Sequence, residues 1–168
     1  MILRCTKKVL DLLDDSPLGL PESEPSEDEW YANLLWVDRQ KCLLFTHAGT
    51  LFSVFAAGVR KADLRPVGLY VVRLIEQELR SEGLPMDVLG PLDPDRVVIA
   101  KTASRSTLGF MNEIVLHVQL QIADTGGLDQ CDISALNHRL RRTLHNYSGT
   151  YARPIERVLD RQHSMTRI

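Results

Sequence analysis

Three apolar runs follow one another with little chain between them: WYANLLWV at 30–37, KCLLFTH at 41–47 and LFSVFA at 51–56. Aromatic and aliphatic residues dominate all three, which is the composition of strands that pack on a core. The polar residues Asp38, Arg39, Gln40 and Lys41 separate the first two, and Ala48, Gly49 and Thr50 separate the second from the third. A hairpin extended by a third strand, an antiparallel meander, is therefore the expected centre of the fold.

Other elements group around it. Residues 2–5 read as a short strand, and Thr6 is placed to cap a brief helix through Leu13. In 66–82, Val67, Val71, Leu74, Ile75 and Leu79 recur at helical spacing, with Pro66 acceptable in the first turn and Gly83 placed to stop the helix. Val97 to Ala100 reads as a fourth, well-buried strand. Residues 106–124 read as a long helix with Leu108, Met111, Val115, Val118 and Ile122 on its main stripe. Phe110, Ile114, Leu116 and Leu120 add apolar groups on other faces, so this helix is expected to be buried between layers. A helix from Asp132 to about Asn146 and a short one from Pro154 complete the chain. The fold class is thus α+β: a curved antiparallel sheet of four or five strands packed against a long central helix, with two or three further helices on the same face.

Composition is ordinary for a globular domain, with 44% apolar and 25% charged residues in a chain of 168, so residues 1–168 are expected to form one domain. Charge is unevenly spread. Asp11, Asp14, Asp15, Glu22, Glu24, Glu27, Asp28 and Glu29 crowd the beginning with no intervening Lys or Arg. Arg139, Arg141, Arg142, Arg153, Arg157, Arg161 and Arg167 crowd the end. Such asymmetry fits either a polyanion-facing basic end or two regions that neutralise each other across the fold. Pro17, Pro21 and Pro25 among the acids predict a mobile acidic loop over 14–29, because too little apolar surface is present to offset the entropy of ordering it. Cys5, Cys42 and Cys131 form neither a disulfide framework nor a CxxC half-site, and no apolar stretch has signal-peptide or membrane-spanning length. A cytoplasmic protein with no membrane association is expected.

The segment Lys101-Thr102-Ala103-Ser104-Arg105-Ser106-Thr107 brings two cations and four hydroxyls to a helix start, where free N–H groups and the dipole favour an anion. It lacks the P-loop pattern, so nucleotide hydrolysis has no motif behind it. Arg105, Gly109 and Asn112 share one stripe of the helix, and Glu113 would join a wider pocket. Lys101, Ser104, Arg105, Ser106, Asn112 and Glu113 are therefore the candidate binding residues. The same residues also fit a capped helix start with internal ion pairs. On the helix from Asp132, His138, Arg141, Arg142 and His145 gather opposite the stripe Ile133, Leu136, Leu140 and Leu144, as a basic outer face for nucleic-acid phosphates or simply a solvated one. The histidines show no metal-binding spacing and no cofactor motif is present, so neither metal nor cofactor is expected. Cys42 and His47, five apart in a strand, point to opposite faces and make a poor nucleophile and base.

The opening MILRCTKK, the blocks WYANLLWVD and KCLLFTH, and KTASRS followed by Leu108-Gly109 and Met111-Asn112-Glu113 resemble a small bacterial family of unknown function, domain of unknown function 6933. The resemblance covers nearly the whole chain and implies a bacterial cytoplasmic origin without assigning an activity. The expected function is a binding or accessory module that contacts a protein or an anionic partner, phosphate-bearing or nucleic acid. The alternative is a small hydrolase or transferase for an anionic or phosphorylated substrate, with Lys101 and Arg105 on the anion and Glu113 or His47 as base. An enzyme needs these groups to converge in a concave pocket, whereas a binding module can present them flat.

Overall fold

The structure, a computed structural model, describes residues 1–16 and 18–167. Pro17, one of the prolines behind the loop expectation, lies outside the described residues.

The chain order is β1 (Ile2–Cys5), α1 (Lys7–Leu13), β2 (Trp30–Val37), β3 (Gln40–His47), β4 (Ser53–Ala56), α2 (Val67–Ser81), β5 (Val98–Lys101), α3 (Arg105–Asp124), α4 (Ile133–Leu140), β6 (His145–Tyr147), β7 (Thr150–Ala152) and α5 (Pro154–Thr166). The class is α+β. The five-stranded sheet runs β4-β3-β2-β1-β5, and β6 with β7 forms a small separate hairpin. The meander β2-β3-β4 is antiparallel throughout. The sheet as a whole is mixed rather than antiparallel, because β1 runs parallel to both its neighbours, with Cys5 level with Ala32 on one side and Lys101 on the other. The helix α1 and the long segment after it carry the chain back to the starting end of the sheet, so β2 enters in the direction of β1.

The near-continuous apolar runs follow from burial on both faces. Trp30, Ala32 and Leu34 of β2 and Leu43 and Phe45 of β3 face one core with Val9 and Leu10 of α1, Val71, Ile75 and Leu79 of α2 and Val158 of α5. Tyr31, Leu35 and Val37 of β2 and Cys42 and Leu44 of β3 face a second core with Met111, Ile114, Val118 and Ile122 of α3 and Leu136 and Leu140 of α4. The expectation that helices cover one face is corrected: the sheet is the middle of three layers. As a consequence α3 is not enclosed. Its outer side is open, with Leu116 and Leu120 60% and 63% exposed.

Two further elements differ from expectation. The strand β5 is a sheet edge rather than a well-buried strand, and Val98 is exposed. The helix α4 ends at Leu140 instead of near Asn146, leaving Leu144 exposed. The turn that follows β6 explains why. Ser148 and Gly149 both take positive φ, and the Asn146 side chain accepts a hydrogen bond from the Gly149 N–H at 2.7 Å, so Asn-Tyr-Ser-Gly closes a hairpin that competes with helix extension.

Among the described residues of the acidic segment 14–29 there is no regular helix or strand. Its later half is nevertheless fastened. The Gly49 and Ala48 N–H groups donate to the Glu27 and Glu29 carbonyls, Arg161 pairs with Asp28, and Arg4 reaches Ser23 and Glu29.

Candidate functional site

The parallel strands β1 and β5 lie side by side, yet the helices that follow them leave for opposite faces: α1 for the first core and α3 for the second. Where neighbouring parallel strands diverge in this way, their carboxyl ends leave an open crevice, the usual ligand position in α/β sheets. A cavity of about 590 Å³ occupies that place, lined by Arg4, Pro21, Glu22, Ser23, Glu24, Lys101, Thr102 and Ala103.

Its inner wall is set by Arg4, which alternates away from Leu3 and Cys5 and is 2% exposed. The guanidinium donates through Nε and Nη2 to both Glu29 carboxylate oxygens, at 2.5 and 2.9 Å. It also donates to the Lys101 carbonyl at 3.0 Å and to the Ser23 carbonyl and hydroxyl at 3.0 and 2.9 Å. Hydrogen bonding to Glu29 raises its pKa further, against the opposing effect of burial. A planar fork can satisfy so many acceptors at once where an ammonium cannot. Arg4 thus ties three separate segments together at the crevice.

Lys101 leans across the mouth, its Nζ 3.4 Å from a Glu22 carboxylate oxygen. Ser104 is committed to the start of α3: its hydroxyl accepts from the Thr107 N–H at 3.2 Å and contacts the Thr107 and Ser106 hydroxyls at 3.0 Å. Its own N–H donates to the Tyr31 hydroxyl. This is the capping role the sequence allowed as an alternative. Arg105 is exposed and forms no ion pair among the described residues. Asn112 is exposed, and Glu113 is exposed with His145 Nδ1 3.9 Å away. Of the six candidates, only Lys101 lines the crevice. Ser104 and Ser106 meet each other at the helix start, whereas Arg105, Asn112 and Glu113 lie on the outer side of α3.

The sequence reading missed Arg4, Glu22, Ser23 and Glu24, and counted Thr102 only among the hydroxyls ahead of α3. A lone cation inside the otherwise apolar β1 was a signal for Arg4, and the acid standing directly before β2 was one for Glu29. A family model described as domain of unknown function (DUF6933) matches residues 2–157. The chain belongs to this family. The matched span of the DUF6933 chain includes both parallel strands, the whole crevice lining and the first turn of α5. A comparison with curated proteins found no match.

The basic patch expected on α4 of this DUF6933 protein is corrected by its partners in α2. Arg141 is fully buried, hydrogen-bonded to Glu78, 3.2 Å from Glu82 and 4.7 Å over the Phe52 ring. Arg142 donates to both Glu82 oxygens, at 3.0 and 2.8 Å, and His138 lies 3.2 Å from the same carboxylate. His145 is buried among Phe110, His117 and Tyr147. Glu78 and Glu82 draw Arg141 into the interior and hold Arg142 and His138 at its rim, where Arg142 stays half-exposed and His138 exposed, so the four residues do not form one free outer face. Burial pushes the Glu78 carboxyl up, with Arg141 opposing.

Cys5 and His47 are enclosed as well. Burial pushes the Cys5 thiol up to about 12, which leaves it protonated and unreactive at neutral pH. Burial, with Arg161 adding, pushes the His47 imidazole down to about 3. Among the described residues no group of His, Cys, Asp and Glu side chains is arranged to hold a metal ion, and no helix is long and apolar enough to cross a membrane.

Proposed function

We propose that this DUF6933 chain is a bacterial cytoplasmic binding or accessory module that takes an anionic group, carried by a phosphate-bearing ligand or an acidic partner, in the crevice at the ends of β1 and β5. The observation that carries the reading is the crevice itself: it lies at the divergence of two parallel strands and presents Lys101 and the Thr102 hydroxyl just ahead of the α3 N-terminus. By helix geometry the first-turn N–H groups there have no intrahelical acceptor. The Glu22 carboxylate stands where an incoming anion would meet Lys101. Both side chains are substantially exposed, so exchanging one carboxylate for another anion costs little. Binding is favoured over catalysis because Arg105, Asn112 and Glu113 are presented on an open surface, while His47 is buried and neutral. Three unpaired cysteines support a reducing compartment.

Thermal melts with inorganic phosphate, nucleoside phosphates and short acidic peptides test the reading. A ligand present at a hundred times its Kd stabilises by about 2.7 kcal/mol, a shift of several degrees at this chain length. Lys101→Ala should abolish the shift and Glu22→Gln should move it to lower ligand concentration. No shift of the wild type with any of these would remove the anion from the proposal.

A further inference from the structure

The outer side of α3 carries a pattern that the crevice does not use. With 100° per residue, Thr107, Met111, Ile114, Val118 and Ile122 point at the sheet, and the side directly opposite presents Arg105, Gly109, Asn112, Leu116, Leu120 and Ala123. All six are exposed or nearly so, and nothing lies within 4 Å of where a Gly109 side chain would begin. Residues 109 and 112 lie seven and four before Leu116, while 120 and 123 lie four and seven after it. The stripe therefore has the same spacing read in either direction.

We infer that α3 packs against α3 of a second copy of the chain, antiparallel, about a two-fold axis at Leu116. That arrangement sets the two Leu116 residues level with each other and Gly109 level with the partner's Ala123, two small residues that allow close approach. Asn112 comes level with the partner's Leu120. Charge selects the direction. Arg105 stands at the N-terminal end of α3, where its own helix dipole repels it, and forms no ion pair among the described residues. In the antiparallel pair it reaches the C-terminal end of the partner helix, where the dipole attracts a cation and where the partner's Asp124, in no ion pair among the described residues, ends the helix. A parallel pair would instead set Arg105 beside its own equivalent. The contact is isologous, so it closes at two copies. A single helix of about 30 Å offers less than the roughly 800 Å² per partner of a standard interface, so the dimer is of micromolar rather than nanomolar strength.

Sedimentation equilibrium of the full chain at about 1–100 µM reads the result. The wild type should show concentration-dependent dimerisation, and Leu116→Glu should raise Kd at least tenfold while its far-UV circular dichroism and melting temperature stay near wild type. If that variant loses its fold, Leu120→Gln replaces it as the probe. Arg105→Asp and Asp124→Arg should each weaken association, and the double exchange should recover most of it. A wild type that remains monomeric throughout this range, or a dimer unaffected by Leu116→Glu, overturns the inference. Absence of recovery in the charge exchange overturns the antiparallel geometry.

Discussion

Arg4 and Glu29 illustrate how one pair can decide the shape of a crevice. Both are almost wholly buried, and Arg4 satisfies acceptors from Ser23, Glu29 and Lys101 at once. Removing one member leaves the other charge buried without a partner, which costs about 3–5 kcal/mol. Arg4→Met should lower the melting temperature sharply, and Arg4→Met with Glu29→Leu should recover part of the loss; equal melting temperatures for Arg4→Met and wild type would show the pair to be energetically idle. His47 gives a pH signature. Its folded pKa, about 3, lies below the ordinary 6.5, so the unfolded chain takes up a proton that the folded one refuses. The associated stability is fully present above about pH 6.5 and is lost as pH falls toward 3, at up to about 1.4 kcal/mol per pH unit. His47→Gln melts between pH 7 and pH 3.5 should fall less steeply than those of wild type, and parallel curves would assign the acid dependence to other groups.

At the scale of elements, the β4 edge of the sheet, which has no further strand beside it, is managed by a side chain. The Asn137 amide of α4 donates to the Phe55 carbonyl at 3.0 Å and accepts from the Phe55 N–H at 2.7 Å, so it pairs with β4 as a further strand would. Asn137→Leu keeps the volume but leaves both backbone groups buried and unpaired, a loss of roughly 2–4 kcal/mol. Greater aggregation of this variant on heating, followed by light scattering, is the expected result. The acidic segment makes a second prediction: early proteolytic cuts should fall within residues 15–21 and spread into 22–29 in Arg4→Met. Cuts throughout 14–29 in the wild type would mean that the fastening is ineffective.

Much of this level was legible beforehand. The meander, α2 and the start of α5 were readable because apolar spacing and the flanking Pro and Gly residues agree at each, and α1 because apolar spacing begins directly after Thr6. The direction of β1 was not, since four residues carry no mark of parallel or antiparallel pairing. The length of α4 was misread because Leu144 continues a helical stripe while the Asn146 turn, a local hydrogen bond, ends it. Lys101 was singled out because a cation at the end of a strand is a local pattern. Arg4 and Glu22 meet it only through the three-dimensional path of the loop.

For the whole molecule, the two cores share one sheet, and the ion cluster of Glu78, Glu82, Arg141 and Arg142 joins α2 of one layer to α4 of the other. Between the acid-rich beginning and the arginine-rich end, Arg161 meets Asp28, while Arg141 and Arg142 pair with Glu78 and Glu82 and Asp14 with Lys61 and Arg65. The layers are therefore expected to unfold together. Urea transitions followed by far-UV circular dichroism and by fluorescence of Trp30, buried in the first core, should coincide; separate midpoints would show that the second core melts independently.

The position of β1 between β2 and β5 also imposes an order in time. The inner strand β1 is made well before one of its two neighbours, β5, which is translated almost a hundred positions later. A growing chain can form the meander early, but Ile2 to Cys5 must wait for residues 98–101 to leave the ribosome before both their edges are paired. Until then one edge of β1 stays unpaired, and pairing across so long a stretch of chain must first overcome its loop-closure entropy, which favours slower folding.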